Sequence, residues 1–202
     1  ASLVVQALHP RALAGVWDHS SFRDDMAARL GRTAFFIAAT TYGGRAMAEQ
    51  AIERVRRIHQ QVQGLDAQGQ AYRADEPQLL AWVHLAECTS FMRAYDVHGR
   101  PALQAHDQDR YFADMAVMGQ AMGAGDLPTN RAASERALQA YLPQLRCDER
   151  TRYVLDLLDH YPTDPPYQSL MKWVVRAAHH SLPPWVHGIL QRPVPDWRER
   201  LA

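Results

Sequence analysis

Residues 45–64 read RAMAEQAIERVRRIHQQVQG, the clearest helical periodicity in the chain. Apolar side chains and one histidine recur there at alternating steps of four and three: Ala48, Ile52, Val55, His59 and Val62. This spacing places them on one stripe of an α-helix, and charged or amide side chains occupy most other positions. The pattern predicts an amphipathic helix over residues 45–63 that Gly64 ends, with His59 facing the interior.

The same periodicity extends in both directions from this helix. It predicts about eight helices: residues 2–16 with a bend at Pro10, 24–42, 45–63, 77–95, 107–122, 131–142, 148–160 and 167–180. A turn is expected at Asp18–Ser21, and a short extended piece at Ala71–Arg73. Prolines leave one short turn around 185–190, so the last twenty residues are expected to wrap the surface. The sequence predicts an all-α fold in a single domain, 1–202.

The predicted helix at 77–95 carries a second histidine on its apolar side. Its apolar face is expected to contain Leu80, His84, Phe91 and Tyr95. His84 and Glu87 lie one turn apart, which is a weak signal for a metal site. The sequence contains no Glu-x-x-His or His-Glu-x-x-His motif, no nucleophile elbow and no glycine-rich phosphate loop. The sequence therefore lacks the motifs that are typical of di-iron proteins, zinc proteases, kinases and dehydrogenases.

Composition excludes further classes of partner. The 22 Lys and Arg residues balance 22 Asp and Glu residues, so no overall charge attracts nucleic acid or an anionic membrane surface. No apolar run approaches the roughly 20 residues that span a bilayer.

Only two cysteines occur, Cys88 and Cys147, which favours a reducing cytoplasmic location. Because the chain opens without Met or a leader, it is expected to begin partway through a longer protein.

A histidine inside an amphipathic helix suits a haem, because the axial imidazole reaches the iron from a helix whose apolar face lies against the porphyrin. His59 has this placement. The alternative is a core histidine whose ring bonds to one backbone carbonyl. Periodicity does not choose between the two.

A series of ordered motifs carries a family resemblance. They are His9-Pro10, Gly15-Val16-x-Asp18-His19-Ser20, Arg29-x-x-x-Thr33, Val55-Arg56-x-x-His59-x-x-Val62-x-Gly64, Tyr72-x-Ala74-Asp75 and Trp82-Val83-His84. In this order and spacing they resemble the mpaB and rubber-oxygenase (latex clearing protein) family, also known as DUF2236. The likeness covers about residues 3–95 well and continues more weakly to about residue 145.

The resemblance implies a helical fold related to globins, a b-type haem, and oxidative attack on carbon-carbon double bonds of isoprenoid chains. His59 would be the proximal iron ligand. Arg29 and Thr33 match an arginine and a threonine that line the family's haem pocket, and a spacing of four also places them on one helical face. No acidic distal residue aligns, so Asp18 and His19 are the nearest polar candidates. A secretion leader and a membrane anchor are missing, so rubber is not the expected substrate.

The leading hypothesis is thus a haem b-dependent oxygenase or oxidase that activates O2 on the face opposite His59. Its substrate is expected to be small and apolar, such as an isoprenoid, in a pocket lined by Phe35, Phe36, Met115, Met118 and Met122. His84 is a second candidate ligand. The alternatives are a non-catalytic haem carrier or sensor, distinguished by oxygen consumption, and a cofactor-free helical ligand-binding module, distinguished by the absence of colour after haem supplementation.

Overall fold

A computed structural model describes residues 1–161 and 163–193. This part of the chain contains ten α-helices and one small sheet, so the all-α prediction is confirmed. The helices are α1 Ser2–Gln6, α2 Pro10–His19, α3 Met26–Tyr42, α4 Arg45–His59, α5 Pro77–His98, α6 Ala105–Met122, α7 Arg131–Gln139, α8 Glu149–Asp159, α9 Gln168–His180 and α10 Pro184–Leu190. None of these helices is long and apolar enough to cross a membrane.

The predicted first helix is two helices. The backbone is extended at His9, and Pro10 begins α2 instead of bending a continuous helix. Proline is favoured at the first helical position because its missing N–H needs no partner there. The expected turn at Asp18–Ser21 begins later as well, since α2 continues to His19.

The hairpin of α3 and α4 follows the sequence pattern closely. The Asp25 carboxylate caps α3 by accepting a hydrogen bond from the Ala28 N–H at 2.9 Å, and α3 ends at Tyr42, as predicted. Helix α4 ends at His59, four residues earlier than predicted, because Gln63 already belongs to a strand. His59 is therefore the last helical residue before the sheet.

Two short antiparallel strands follow, β1 Gln63–Leu65 and β2 Ala71–Arg73. The extended piece at Ala71–Arg73 is confirmed, whereas its partner strand was not predicted. Gly64 pairs with Tyr72, and a Cβ on Gly64 would lie 2.9 Å from the tyrosine hydroxyl. Gly64 is thus required for the close approach of the buried Tyr72 ring.

The core surrounds α5. Trp82 of this helix is fully buried among side chains from both ends of the described chain. These side chains include Val4, Val5, Leu8, Leu138, Leu155, Val186 and Leu190. The expectation that the last twenty residues wrap the surface is wrong for α10, because Val186 is fully buried; residues 194–202 lie outside the described part. Phe91, assigned to the apolar face of α5, is 38% exposed.

A buried histidine joins this core to the loop before α8. His9 is 1% exposed, its Nε2 lies 3.3 Å from the Gln144 side-chain oxygen, and its buried Nδ1 has no partner. Burial, as the largest cause, lowers the pKa of His9 from 6.5 to about 4. The folded protein therefore holds His9 neutral at pH values where the unfolded chain binds a proton.

We predict that His9 makes the protein less stable in acid. Between pH 6.5 and about 4 the unfolded state binds one more proton at this site, so the free energy of unfolding falls as pH falls, with a slope of about 1.4 kcal/mol per pH unit. His9→Phe should remove this contribution to the slope in urea unfolding measured across that range. The control is His106→Phe, at a side chain that is 80% exposed. Equal slopes in wild type and His9→Phe would contradict the prediction.

Candidate functional site

An apolar cavity of about 80 Å³ lies between α1, α2, α3, α5 and α8. Most of its lining is aliphatic or aromatic, and Gln6, Arg29 and Thr33 supply the polar groups. The remaining lining residues are Leu3, Ala7, Ala12, Leu13, Val16, Phe22, Met26, Leu30, Val83, Val154 and Leu158. A greasy cavity with a few convergent polar groups is the usual form of a small-molecule site.

Helix α3 presents the polar end of this cavity. Met26, Arg29, Leu30 and Thr33 occupy one face of the helix at steps of three and four, and all four line the cavity. The Arg29 guanidinium donates to the Thr33 hydroxyl at 2.6 Å, and that hydroxyl donates to the Arg29 carbonyl at 3.2 Å. Thr33 thereby orients the Arg29 head group, and the structure brings the predicted pair together.

The charge of Arg29 is not compensated by a carboxylate. Burial, and then the neighbouring charge of Arg32, lower the pKa of Arg29, although a guanidinium remains a cation in proteins. No Asp or Glu in the described ranges forms an ion pair with it, and Thr33 is its hydrogen-bond partner there. A half-buried cation without a counter-ion is costly, so this position favours an anionic ligand.

His59, at the end of α4, feels the charge of this cation. Burial is the largest cause that lowers the pKa of His59, followed by the positive charge of Arg29, while Asp75 opposes them. Its Nδ1 is buried without a partner, and across the described ranges its side chain makes no hydrogen bond. A core histidine satisfied by a backbone carbonyl is therefore not what the structure shows. The ring is held neutral, the form that binds metals.

His84 occupies a different environment, between α5 and α6. Its Nε2 lies 3.5 Å from the Cys88 sulfur, and a Cβ on Gly119 of α6 would lie 2.8 Å from its Nδ1. Burial lowers its pKa to about 4, so this imidazole is neutral too. His84 does not line the cavity, although the adjacent Val83 does.

Asp18 and His19 connect α2 to the small sheet. The exposed His19 has its Nε2 3.2 Å from the Gln63 carbonyl oxygen, and the Tyr72 hydroxyl donates to the Asp18 carboxylate at 3.2 Å. Neither residue lines the cavity. The structure thus gives both a structural contact, and a distal role for His19 stays a prediction.

The predicted apolar lining differs from the observed one. Phe35 is 64% exposed, and Met115 packs against the cluster of Cys88, Met92 and Phe112. None of the five residues expected from α3 and α6 lines the cavity. The actual lining includes Leu3 and Leu158, which no sequence motif indicated because they come from helices far apart in the chain.

No group of three or more His, Cys, Asp or Glu side chains comes together as a metal site in the residues that the structure describes. A zinc site or a non-haem iron site takes such a set from the protein. A haem iron, in contrast, needs only one axial side chain from the protein, and His59 is our candidate for that ligand.

Comparison with known proteins adds one match. A family model described as "ER-bound oxygenase mpaB/B'/Rubber oxygenase, catalytic domain" matches residues 1–202. The match extends well past the motifs of residues 3–95. No curated protein and no solved structure matches the chain.

The packing around His84 yields a prediction. In Gly119→Ala the added methyl group would overlap the His84 ring and Leu127, so we expect the free energy of unfolding to fall by about 1–3 kcal/mol. Gly31→Ala in α3 is the matched control, since nothing lies within 4 Å of its Cβ position. It should raise stability by about 0.5–1 kcal/mol, because alanine is the better helix former. Denaturant unfolding measures both; a Gly119→Ala protein as stable as Gly31→Ala would refute this packing.

Proposed function

The chain belongs to the family of ER-bound oxygenase mpaB and rubber oxygenase catalytic domains, and from this we propose that it is a haem b-dependent oxygenase of an apolar substrate. One observation carries the proposal: in the part of the chain that the structure describes, the neutral imidazole of His59 has a buried Nδ1 without a hydrogen-bond partner, and it feels the charge of Arg29, which has no carboxylate partner there. A haem needs this pair of partners, one for its iron and one for its propionates.

His59 would bind the iron as the proximal ligand. An imidazole must be neutral to bind a metal, and burial together with Arg29 keeps His59 neutral near pH 7. Its lack of a protein hydrogen bond leaves the ring free for a ligand. Haem b, when bound, would supply the redox chemistry that activates O2.

Arg29 would bind a propionate or steady dioxygen. Guanidinium and carboxylate form paired, charge-assisted hydrogen bonds that are roughly twice as strong as neutral ones. Thr33 already holds the Arg29 head group at 2.6 Å, so little side-chain freedom is lost when an anion binds.

The cavity would receive the substrate. Its volume of about 80 Å³ is far below the about 300–1,000 Å³ of pockets for drug-sized ligands, so the porphyrin does not fit inside it. We assign the cavity instead to the reacting end of an apolar molecule such as an isoprenoid chain. Its aliphatic walls would contact the apolar substrate, and its polar end includes Arg29, whose charge acts on His59.

Two further histidines keep secondary roles in the proposal. His84 is a neutral imidazole on the helix that carries Val83 of the cavity, and it is our second candidate ligand. His19 remains a candidate for the distal side. We place the protein in the cytoplasm, which agrees with the free thiols of Cys88 and Cys147.

The first test is haem binding. Wild-type protein expressed with haem available should show a strong Soret band, and His59→Ala should lose most of the bound haem because its axial imidazole is gone. The pyridine haemochrome assay measures the haem content per chain, and an oxygen electrode measures turnover with an isoprenoid.

Two comparisons make this test specific. His106→Ala removes an exposed imidazole and should leave the haem content unchanged. His84→Ala should retain haem, and a change from a six-coordinate to a five-coordinate spectrum would identify His84 as a sixth ligand. Equal haem content in wild type and His59→Ala would remove His59 from the proposal; haem binding without oxygen consumption would indicate a carrier or sensor.

The second test concerns Arg29. We expect Arg29→Ala to lose most of the activity with a smaller effect on folding, because no carboxylate in residues 1–161 and 163–193 pairs with this cation. Arg29→Lys keeps the charge but not the forked donors, so partial activity should remain.

Arg32 provides the matched control for Arg29. It lies three residues further along α3, is exposed, and donates to the Ser21 hydroxyl at 3.2 Å, away from the cavity. Arg32→Ala should therefore keep wild-type haem content and oxygen consumption. If Arg29→Ala and Arg32→Ala behaved alike while both stayed folded, as judged by circular dichroism, the role of Arg29 would be withdrawn.

A further inference from the structure

The cavity is bounded on one side by closely packed apolar side chains. Four of its lining residues also form one buried cluster, in which each residue is 3–8% exposed: Ala7, Leu13, Phe22 and Val154. We call these four residues the apolar wall. Because all four are buried, the cavity does not open to solvent on this side.

Phe22 is the largest side chain of the apolar wall, and its position is fixed from behind. It lies in the 3-10 turn Ser21–Arg23 between α2 and α3. The Trp17 ring, which does not line the cavity, packs edge-to-face against Phe22 with 5.9 Å between the ring centroids. The guanidinium groups of Arg23 and Arg150 lie 4.8 Å and 5.1 Å from the Trp17 ring centroid. Phe22 therefore cannot withdraw from the cavity without displacing Trp17.

Helix α3 leads from the apolar wall to the polar groups of the cavity. Met26, the first residue of α3, packs against the wall, and Arg29 and Thr33 follow one and two turns later on the same face. Because a helix rises about 1.5 Å per residue, Arg29 lies about 4.5 Å further along the axis than Met26. The distance from the wall to the level of Arg29 thus suits a short group.

The volume of the cavity gives a second measure of the ligand. An apolar cavity of about 150 Å³ accommodates one benzene molecule. The cavity here, at about 80 Å³, has about half that volume. A compact group of about three or four carbon atoms therefore fits, in agreement with the short distance along α3.

We propose that the cavity binds the free end of an apolar chain, a compact group of about three or four carbon atoms, and that Phe22 sets this size limit. A segment from the middle of a chain would have to leave on the far side of the cavity, which the apolar wall closes. The role of this chain as the substrate rests on the proposed function, whereas the size limit follows from the cavity alone. Arg29 then faces the bonds next to the chain end, and the chain is attacked close to its terminus.

NMR titrations of the full chain with isobutene and with benzene test the size limit. Isobutene has the size of the proposed group and should shift the methyl resonances of Leu13 and Val154, whereas benzene should bind at least tenfold more weakly. Leu85 is the internal reference, because it is buried in the core and does not line the cavity, so its resonances should not move. Ala12→Leu fills the cavity from α2 and should weaken isobutene binding at least tenfold.

Substitutions of Phe22 test its role in the limit. Phe22→Ala enlarges the cavity, so benzene should bind at least tenfold more tightly than to the wild type and shift the same resonances of Leu13 and Val154. Phe22→Leu is the milder truncation; it should change benzene binding in the same direction and tests the limit even where Phe22→Ala does not fold. The matched control is Phe112→Ala, because Phe112 is also 3% exposed but packs around Cys88, outside the cavity. Benzene should leave the Leu13 and Val154 resonances of that variant unmoved.

The proposal is overturned if Leu13 and Val154 do not respond to isobutene, or if Ala12→Leu responds as the wild type does. It is equally overturned if benzene binds the wild type as tightly as isobutene, or if folded Phe22→Leu protein binds benzene no better than the wild type. These titrations need no haem, so the two proposals fail separately. A chain that binds isobutene in the cavity but no haem would refute the haem oxygenase and support the size limit. A haem-binding chain whose cavity ignores isobutene would do the reverse.

Discussion

The complete burial of Trp82 is the constraint on which the rest of the molecule depends. Its indole N–H donates to the Gln6 carbonyl at 3.4 Å, and its ring packs 5.7 Å from His9 and 5.2 Å from Tyr141. Because successive helical residues point about 100° apart, the next two side chains of α5 meet other surroundings. Val83 lines the cavity, and His84 packs against Gly119 of α6. One turn of α5 thus joins the core, the cavity and the second histidine.

The candidate site contains polar groups that the described fold leaves unsatisfied, as it also leaves the Nδ1 of His9 in the core. Among the residues that the structure describes, Arg29 is half-buried without a carboxylate partner, and His59 has a buried nitrogen without a hydrogen-bond partner. Each unsatisfied group costs stability, because folding removes these groups from water without replacing the lost interactions. Both belong to the hairpin of α3 and α4, and the charge of Arg29 acts on His59. A cation and a neutral imidazole that influence each other favour a binding role, which the single unpartnered nitrogen of His9 does not.

Periodicity could predict which face of a helix turns inward, but not which helices meet there. The predicted stripe from Ala48 to Val62, which runs along α4 and just past its end, is partly buried at all five positions. The spacing of Arg29 and Thr33 correctly placed them on one face. The cavity, in contrast, joins Leu3 to Leu158, and contacts between residues so far apart in the sequence leave no local pattern.

Phe35 was expected to line the pocket because it lies in an apolar run, but its side chain is exposed. Pro10 illustrates a third limit: the same residue bends one helix or begins another, and the packing of Leu8 and His9 decides.

The two groups of the site are also coupled to each other. The charge of Arg29 helps to lower the pKa of His59, so an anion bound to Arg29 would cancel part of that effect and make the imidazole more basic. A more basic imidazole is a stronger metal ligand, and binding free energies are reciprocal. An anion at Arg29 and a metal at His59 would therefore strengthen each other. A ligand that carries both a metal and carboxylates would occupy both positions and gain from this mutual strengthening. A free metal ion or a free carboxylate would occupy only one position and would not. Under the proposed function, the arrangement would favour a metal complex with acidic side groups, such as a haem, over either component alone.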